Sequence, residues 1–290
     1  MLSYRHAFHA GNHADVLKHI TQMLVIDKLL QKPKPFVYID THSGAGSYRL
    51  DSEDALKTRD FESGISKFSN HQCHSPILKR YLDVTQSFAS HQHYPGSPMI
   101  AKSLMREIDN IVLMEFHNSE IEILRKNLCG YRSGAPAAVH HRDGFEGLIG
   151  LMPPTPARGM VLIDPPYELL SEYQQVQNAV AQAVKKWPSG IFVIWYPLLS
   201  QRAAKKAGMS EKMCESLAHL PIKSMLDVRM TVAENTQDAG MYGSGLAIIN
   251  PPWQLDIALQ QVLPELNQLL SSQDYKVTSE LMWRKRESNT

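Results

Sequence analysis

The apolar run Met160-Val161-Leu162-Ile163 ends in Asp164-Pro165-Pro166-Tyr167. Two adjacent prolines fix the turn and remove two backbone N–H donors, so acceptors dominate next to the carboxylate. An acid, carbonyl oxygens and an aromatic ring at a strand end suit one chemical problem, the exocyclic amine of an adenine. That amine is a poor nucleophile because its lone pair is delocalised into the ring. The Asp164 carboxylate and the Pro165 carbonyl can hold its two hydrogens and direct the lone pair toward a methyl donor. Tyr167 can stack on the base once it has left its helix. Alignment then supplies most of the acceleration, because a sulfonium is already a good leaving group. The plain alternative is a strand stopped by prolines.

Three other strand ends bear on the choice. The run Phe36-Val37-Tyr38-Ile39 leads into Asp40-Thr41-His42-Ser43-Gly44-Ala45-Gly46. Glycines in such a turn let the backbone approach a ligand, but a dinucleotide fingerprint would need glycine at Arg49, so NAD is disfavoured. The second run ends at Glu115, where a carboxylate can take both hydroxyls of a ribose. The third ends at Asp143-Gly144, suited either to an adenine amino group or to capping a helix.

These ends need a sheet to bring them together. Apolar spacing predicts a helix over 14–31 with Pro33 just beyond it, and a buried parallel strand at 36–39. Helices follow at 98–108, 118–128, 170–187, 199–219 and 254–271. Strands are expected at 111–115, 138–142, 160–164, 190–196, near 224–233, at 245–250 and near 275–283. Strands alternating with helices give an α/β, doubly wound, Rossmann-like sheet, whose ligands lie outside the carboxyl ends of the strands. Residues 50–93 are polar, with weak helical periodicity. They read as a helical insertion subdomain in a main domain formed by 1–49 and 94–290.

The chain has 290 residues, 43% hydrophobic and 20% charged, an ordinary globular balance. Its three cysteines are far apart and odd in number, which argues against a disulfide framework and a zinc site. The start lacks the apolar core of a signal peptide, and the greasiest stretch is broken by Asp27 and Lys28. A soluble cytoplasmic protein is expected, with no metal and no membrane partner. The formal net charge of +1 confines any nucleic-acid site to a local basic patch.

The chain resembles the amino-methyltransferases with a DPPY motif, and more closely the RlmJ family of 23S ribosomal RNA adenine-N6 methyltransferases. The segments that carry the resemblance are SYRHAFHAGNHADVLKH at 3–19, YIDTHSGAGSY at 38–48, YPGSP at 94–98, LIDPPYE at 162–168, WYP at 195–197 and INPPW at 249–253. It implies a class I methyltransferase fold, S-adenosyl-L-methionine as cofactor, 23S rRNA as partner and a monomer. It also implies that Lys18, His19, His42 and Ser97 contact the cofactor, that Glu115 holds its ribose, and that Asp143 and Gly144 lie at its adenine. Asp164 would be the catalytic acceptor beside that cofactor. Tyr4, with Pro165 and Tyr167, would meet the RNA.

Some features compete with this reading. His9 and His13 are four apart, as metal ligands on one helix face can be, but Gly11 intervenes and the HExxH glutamate is missing. Asn250-Pro251-Pro252-Trp253 resembles the amine-methylating motif of other enzymes, but it follows a late strand beyond the expected core of the sheet and reads as a structural turn. Basic clusters at 185–186, 202–206 and 284–286 are ordinarily solvated surface. The rival functions are methylation of DNA adenine or protein glutamine, and nucleic-acid binding without catalysis.

Overall fold

The computed structural model describes residues 5–89, 92–131, 134–236 and 240–286. Tyr4 lies outside them.

The sheet strands are β1 (Val37–Asp40), β4 (Asn110–Glu115), β5 (Ala137–His141), β6 (Gly159–Ile163), β7 (Ile191–Leu199), β8 (Met225–Thr231), β9 (Met241–Ile249) and β10 (Thr278–Lys285). The order across the sheet is β10-β8-β9-β7-β6-β1-β4-β5. Five neighbouring strands, from β5 through β4, β1 and β6 to β7, run parallel, and the β7–β9, β9–β8 and β8–β10 pairs are antiparallel. β4 and β5 lie on one side of β1 and β6 and β7 on the other, so the sheet's direction of growth reverses at β1. A crevice opens at such a reversal, at the carboxyl ends of the strands.

Along β1, Tyr38 faces one core and Val37 and Ile39 the other, the period-two alternation of a strand covered on both faces. The first face is covered by α1 (His13–Leu30), α4 (Ser97–Leu104), α5 (Asn118–Cys129) and α9 (Leu255–Leu270). The second is covered by α6 (Gly144–Leu151), α7 (Leu170–Lys186) and α8 (Met209–Ala218). A short ribbon of β2 (Ser47–Arg49) and β3 (His93–Pro95) brackets α2 (Glu53–Thr58), two 3-10 segments (60–63 and 65–70) and α3 (Pro76–Ala89).

α1 begins where the Asn12 side chain accepts the Asp15 N–H at 2.9 Å, a standard N-cap. Every residue from His13 to Ile26 is buried. A helix buried on all sides cannot leave its polar residues to water, so Asp15, Lys18, His19 and Gln22 must find partners inside the protein.

The helix expected over 199–219 forms only from Met209. Pro197, Leu198 and Leu199 instead extend β7, because they stay paired with Ser244, Gly243 and Met241 of β9. Residues 201–206 then form a 3-10 segment kinked at Ala204 (φ 51°, ψ −115°), and Gly208 in the left-handed region starts α8.

The second proline motif sits inside the sheet rather than beyond it, since β9 lies between β7 and β8. Its direction keeps it from the crevice. Ile249 pairs with Phe192 at the start of β7, whereas Ile194, further along the same strand, pairs with Ile163. Asn250 is therefore at the opposite pole from Asp164. Its Nδ2 donates to the carbonyls of Pro188 and Gly190, each at 2.9 Å, and Trp253 is 83% exposed. Asn250→Ala should leave methyl transfer intact and cost about 1–3 kcal/mol of stability, from two lost hydrogen bonds and a left-handed backbone that alanine tolerates poorly. Denaturant unfolding and a transfer assay on the same sample check both halves.

Candidate active site

The carboxyl ends of β1, β4, β5 and β6 converge on one cavity. Lys18, His19, His42, Ser97, Glu115, Asp143, Gly144 and Asp164 all line it. Each expected cofactor contact among the described residues is thus brought to the same place.

Glu115 anchors one side. Its Oε2 accepts the Gly44 N–H at 2.8 Å and its Oε1 the His117 N–H at 2.6 Å, which aims the carboxylate and leaves lone pairs for two hydroxyls. Burial raises its pKa against those donors. Asp143 is the N-cap of α6, with Oδ1 accepting from the N–H groups of Phe145 and Glu146 at 2.9 Å each. Capping engages Oδ1 only, so the cap does not exclude a ligand at the other oxygen. At Gly144 a Cβ would lie 2.0 Å from the Thr41 carbonyl oxygen, and at Gly44 one would lie 2.1 Å from the Tyr48 hydroxyl. Glycine is required at both places for the β1 turn and the start of α6 to close around the cavity. His42 lies edge-on to Phe145, and burial depresses its pKa to about 4, so it is a neutral hydrogen-bonding group at pH 7.

Ser97 opens α4 and donates to Asp40 Oδ2 at 2.7 Å, the oxygen that also accepts from Tyr38 Oη. Burial pushes the Asp40 carboxyl up to about 6 in spite of these donors, with Asp164 adding to the rise. His19 shares a hydrogen bond through Nδ1 with Tyr94 Oη at 2.8 Å, while its buried Nε2 has no partner. That unpaired nitrogen belongs to a residue lining the cavity, which fits a polar ligand there. A neutral side chain is kept by burial, which lowers its pKa to about 3.

Asp164 is tied to α1. Lys18 Nζ donates to Asp164 Oδ2 at 2.5 Å and pairs with Asp15 Oδ1 at 2.8 Å. Burial alone would lower the Lys18 pKa, but the two carboxylates outweigh it and hold the ammonium above the ordinary lysine range. Asp15 Oδ2 accepts the Gly11 N–H and shares a 2.8 Å hydrogen bond with His6 Nε2. Burial opposes its ionisation, yet His6 and Lys18 keep it well below the usual carboxylate range. Asp15 and His6 are the site residues that motif reading missed. Their signal is the spacing Asp15–Lys18–His19 at i, i+3 and i+4 on a helix with no solvent-facing side.

A second cavity lies beyond Asp164. His13, Lys67, Tyr167, Trp195 and Lys206 help to line it. His6, Lys18, Asp164 and Pro166 line both cavities. His9 and His13 face the helical segment here, not each other across a metal. Their Nδ1 atoms lie 2.7 Å from Asp60 Oδ2 and 3.3 Å from Ser63 Oγ.

Two expectations about the Asp164 loop need correction. Tyr167 does not present an open ring face. Its backbone is left-handed (φ 51°), which turns the side chain under the loop. There it is 2% exposed, with its ring 4.6 Å from that of Tyr173 and its hydroxyl donating to the Trp195 carbonyl at 2.9 Å. Pro165 is buried and lines neither cavity, while Pro166 lines both.

A family model described as "Ribosomal RNA large subunit methyltransferase D, RlmJ" matches residues 33–284. The chain belongs to the RlmJ family. Two relatives named "Ribosomal RNA large subunit methyltransferase J" agree over most of their length. That of Escherichia coli (strain K12) is 40% identical over 273 residues, covering 93% of this chain and 94% of the relative. That of Haemophilus influenzae (strain ATCC 51907 / DSM 11121 / KW20 / Rd) is 37% identical over 274 residues, with the same coverage. A crystal structure of a protein from Legionella pneumophila str. Philadelphia 1 superposes with a TM-score of 0.84 at 28% identity, covering 97% of this chain and 99% of that one. The sheet is the doubly wound, mostly parallel α/β sheet that the sequence predicts. As a member of the RlmJ family the chain is an S-adenosylmethionine-dependent enzyme that methylates adenine N6 in ribosomal RNA.

The residues of the first cavity fit that cofactor. They offer a carboxylate with free lone pairs, a second acid with an oxygen left free by its helix cap, a buried histidine nitrogen without a hydrogen bond, and two glycines that let the chain close around the cavity. Glu115→Ala should weaken S-adenosylmethionine binding by about 1–3 kcal/mol through the loss of charge-assisted hydrogen bonds. Titration calorimetry reads this directly, and unchanged affinity would remove Glu115 from the cofactor site.

Proposed function

We propose that Asp164 is the acceptor that positions the N6 amine of an adenine in 23S rRNA, between a cofactor cavity on one side and a substrate cavity on the other. The observation that carries this is the place of Asp164 in the wall shared by the two cavities. A group held in one cavity meets a group held in the other at this carboxylate. Bound S-adenosylmethionine supplies an activated methyl on sulfur, so the protein's task is to hold, orient and shield.

Glu115, Asp143 and Gly144 hold the cofactor from the ends of β4 and β5. Lys18 fixes the orientation of Asp164, engaging Oδ2 only. The other oxygen, Oδ1, has no partner among the described residues and can accept from the amine. As the amine nitrogen gains positive charge, the Asp164 carboxylate stabilises it electrostatically. Once nitrogen carries the methyl group, its surplus proton leaves to solvent through the second cavity, and Lys18 stays paired with Asp15 throughout. The adenine enters the second cavity flipped out of its stack, between the Asp164 loop, Trp195 and the start of α1. Tyr4, two residues before His6 in the sequence, would meet the RNA, as the family resemblance implies.

Protein glutamine methylation through the second proline motif is disfavoured by the position of Asn250 at the opposite pole. The test is transfer of labelled methyl to purified large-subunit rRNA, small-subunit rRNA and DNA in parallel. Label confined to the large-subunit RNA is expected. Equal labelling of DNA would overturn the substrate assignment.

A further inference from the structure

Beyond Asp164 the substrate cavity has a basic edge that the chemistry does not use. The 3-10 segment Gln201–Lys206 follows β7 at the crevice end of the sheet and contains Arg202, Lys205 and Lys206 with no acidic residue. Arg202 and Lys205 are exposed, and Lys206 is half-buried at the cavity wall. Lys206 has an unusual pair of partners. Its Nζ donates to the backbone carbonyls of Tyr167 at 3.2 Å and Glu168 at 3.4 Å, and among the described residues no carboxylate is within ion-pair distance of it. Its positive charge therefore sits against neutral acceptors next to the catalytic loop, where a phosphate would be a stronger partner. Strain points the same way. Ala204 inside the segment and Tyr167 at the far end of the lysine's reach both have positive φ, a strained conformation for such residues that concentrates at functional sites. The opposite wall of the cavity carries another cation, Lys67, so a strand of RNA crossing the mouth would pass between two positive edges.

We infer that the 201–206 segment binds the RNA phosphates flanking the target adenosine, and that Lys206 exchanges the Tyr167 and Glu168 carbonyls for one of them. Phosphate contacts of this kind set the register of the nucleic acid without reading its sequence, which is what a pocket for one flipped base requires. Because the released carbonyls belong to the loop that starts at Asp164, docking of the correct strand also frees that loop to close on the base. Lys206 is thus a positioning residue.

This inference rests on the proposed substrate, and the two fail in different ways. If the parent enzyme does not label large-subunit rRNA, the substrate reading fails. If it does, the inference is tested by Lys206→Met, Lys206→Arg and, as a surface control at the far end of α7, Lys185→Met. RNA affinity of each is measured against salt with a large-subunit rRNA transcript, together with KM and kcat for methyl transfer and the Kd for S-adenosylmethionine. Lys206→Met should lower the slope of log affinity against log salt by about one, as for one lost phosphate contact. It should also raise KM for RNA about tenfold and leave cofactor affinity unchanged. Lys206→Arg should restore the slope, and Lys185→Met should not alter it. A Lys206→Met enzyme with the parent's salt slope and KM overturns the inference, as does one that loses stability and kcat while its salt slope stays the same.

Discussion

Asp164→Asn should lower single-turnover methyl transfer by about 10²–10³-fold at saturating cofactor, the range seen when one preorganised polar group is removed from a transition state. The substituted amide puts a donor where the amine needs an acceptor and removes the charge that offsets the developing ammonium. The fold should survive, because Lys18 keeps its 2.8 Å pair with Asp15 and no buried charge is left alone. Circular dichroism and thermal unfolding should match the parent. Transfer at the parent rate by this variant would remove Asp164 from the chemistry.

Tyr167→Ala should be the most destabilising change in the catalytic loop, at about 3–5 kcal/mol for truncating a large buried aromatic. The ring lies against Tyr173 and Trp195, and the backbone at this position is left-handed, so a cavity opens under a loop already held in strain. Tyr167→Phe removes the hydroxyl with its hydrogen bond to the Trp195 carbonyl and its weaker 3.7 Å contact to Met213 Sδ, and should cost about 1 kcal/mol while keeping most of the activity. Denaturant midpoints separate the two variants. A Tyr167→Ala protein as stable as the parent would show that the ring is not held under the loop, and would return it to a stacking role on the base.

The strand ends were legible in the sequence because each combines two strong signals, an apolar run and a polar residue that breaks it. Asp40, Glu115, Asp143 and Asp164 follow the ends of β1, β4, β5 and β6 for that reason. The alternation of strands and helices was enough for a doubly wound sheet, though not for the order of its strands. What the sequence concealed depends on direction and burial. Nothing local shows that β9 runs antiparallel between β7 and β8, although that alone moves Asn250 to the far pole. The 199–208 stretch reads as helix because its extension of β7 comes from pairing with β9, a contact more than forty residues away. Asp15 looks like a solvated helix residue until α1 is seen to be enclosed on every side, and then its ion pairs become obligatory. Tyr167 was misjudged for a related reason, since a DPPY tyrosine carries no local sign of the positive φ that folds its ring away from the substrate.

The central claim, that this chain methylates an adenine N6 in 23S rRNA through Asp164, is met most directly by nucleoside and fragment mass spectrometry of 23S rRNA. The RNA is taken from cells lacking the gene and from the same cells carrying either the parent or the Asp164→Asn form. One N6-methyladenosine should disappear from 23S rRNA in the deletion, return with the parent, and stay absent with Asp164→Asn. An unchanged N6-methyladenosine content in the deletion, or its full return with Asp164→Asn, would contradict the account.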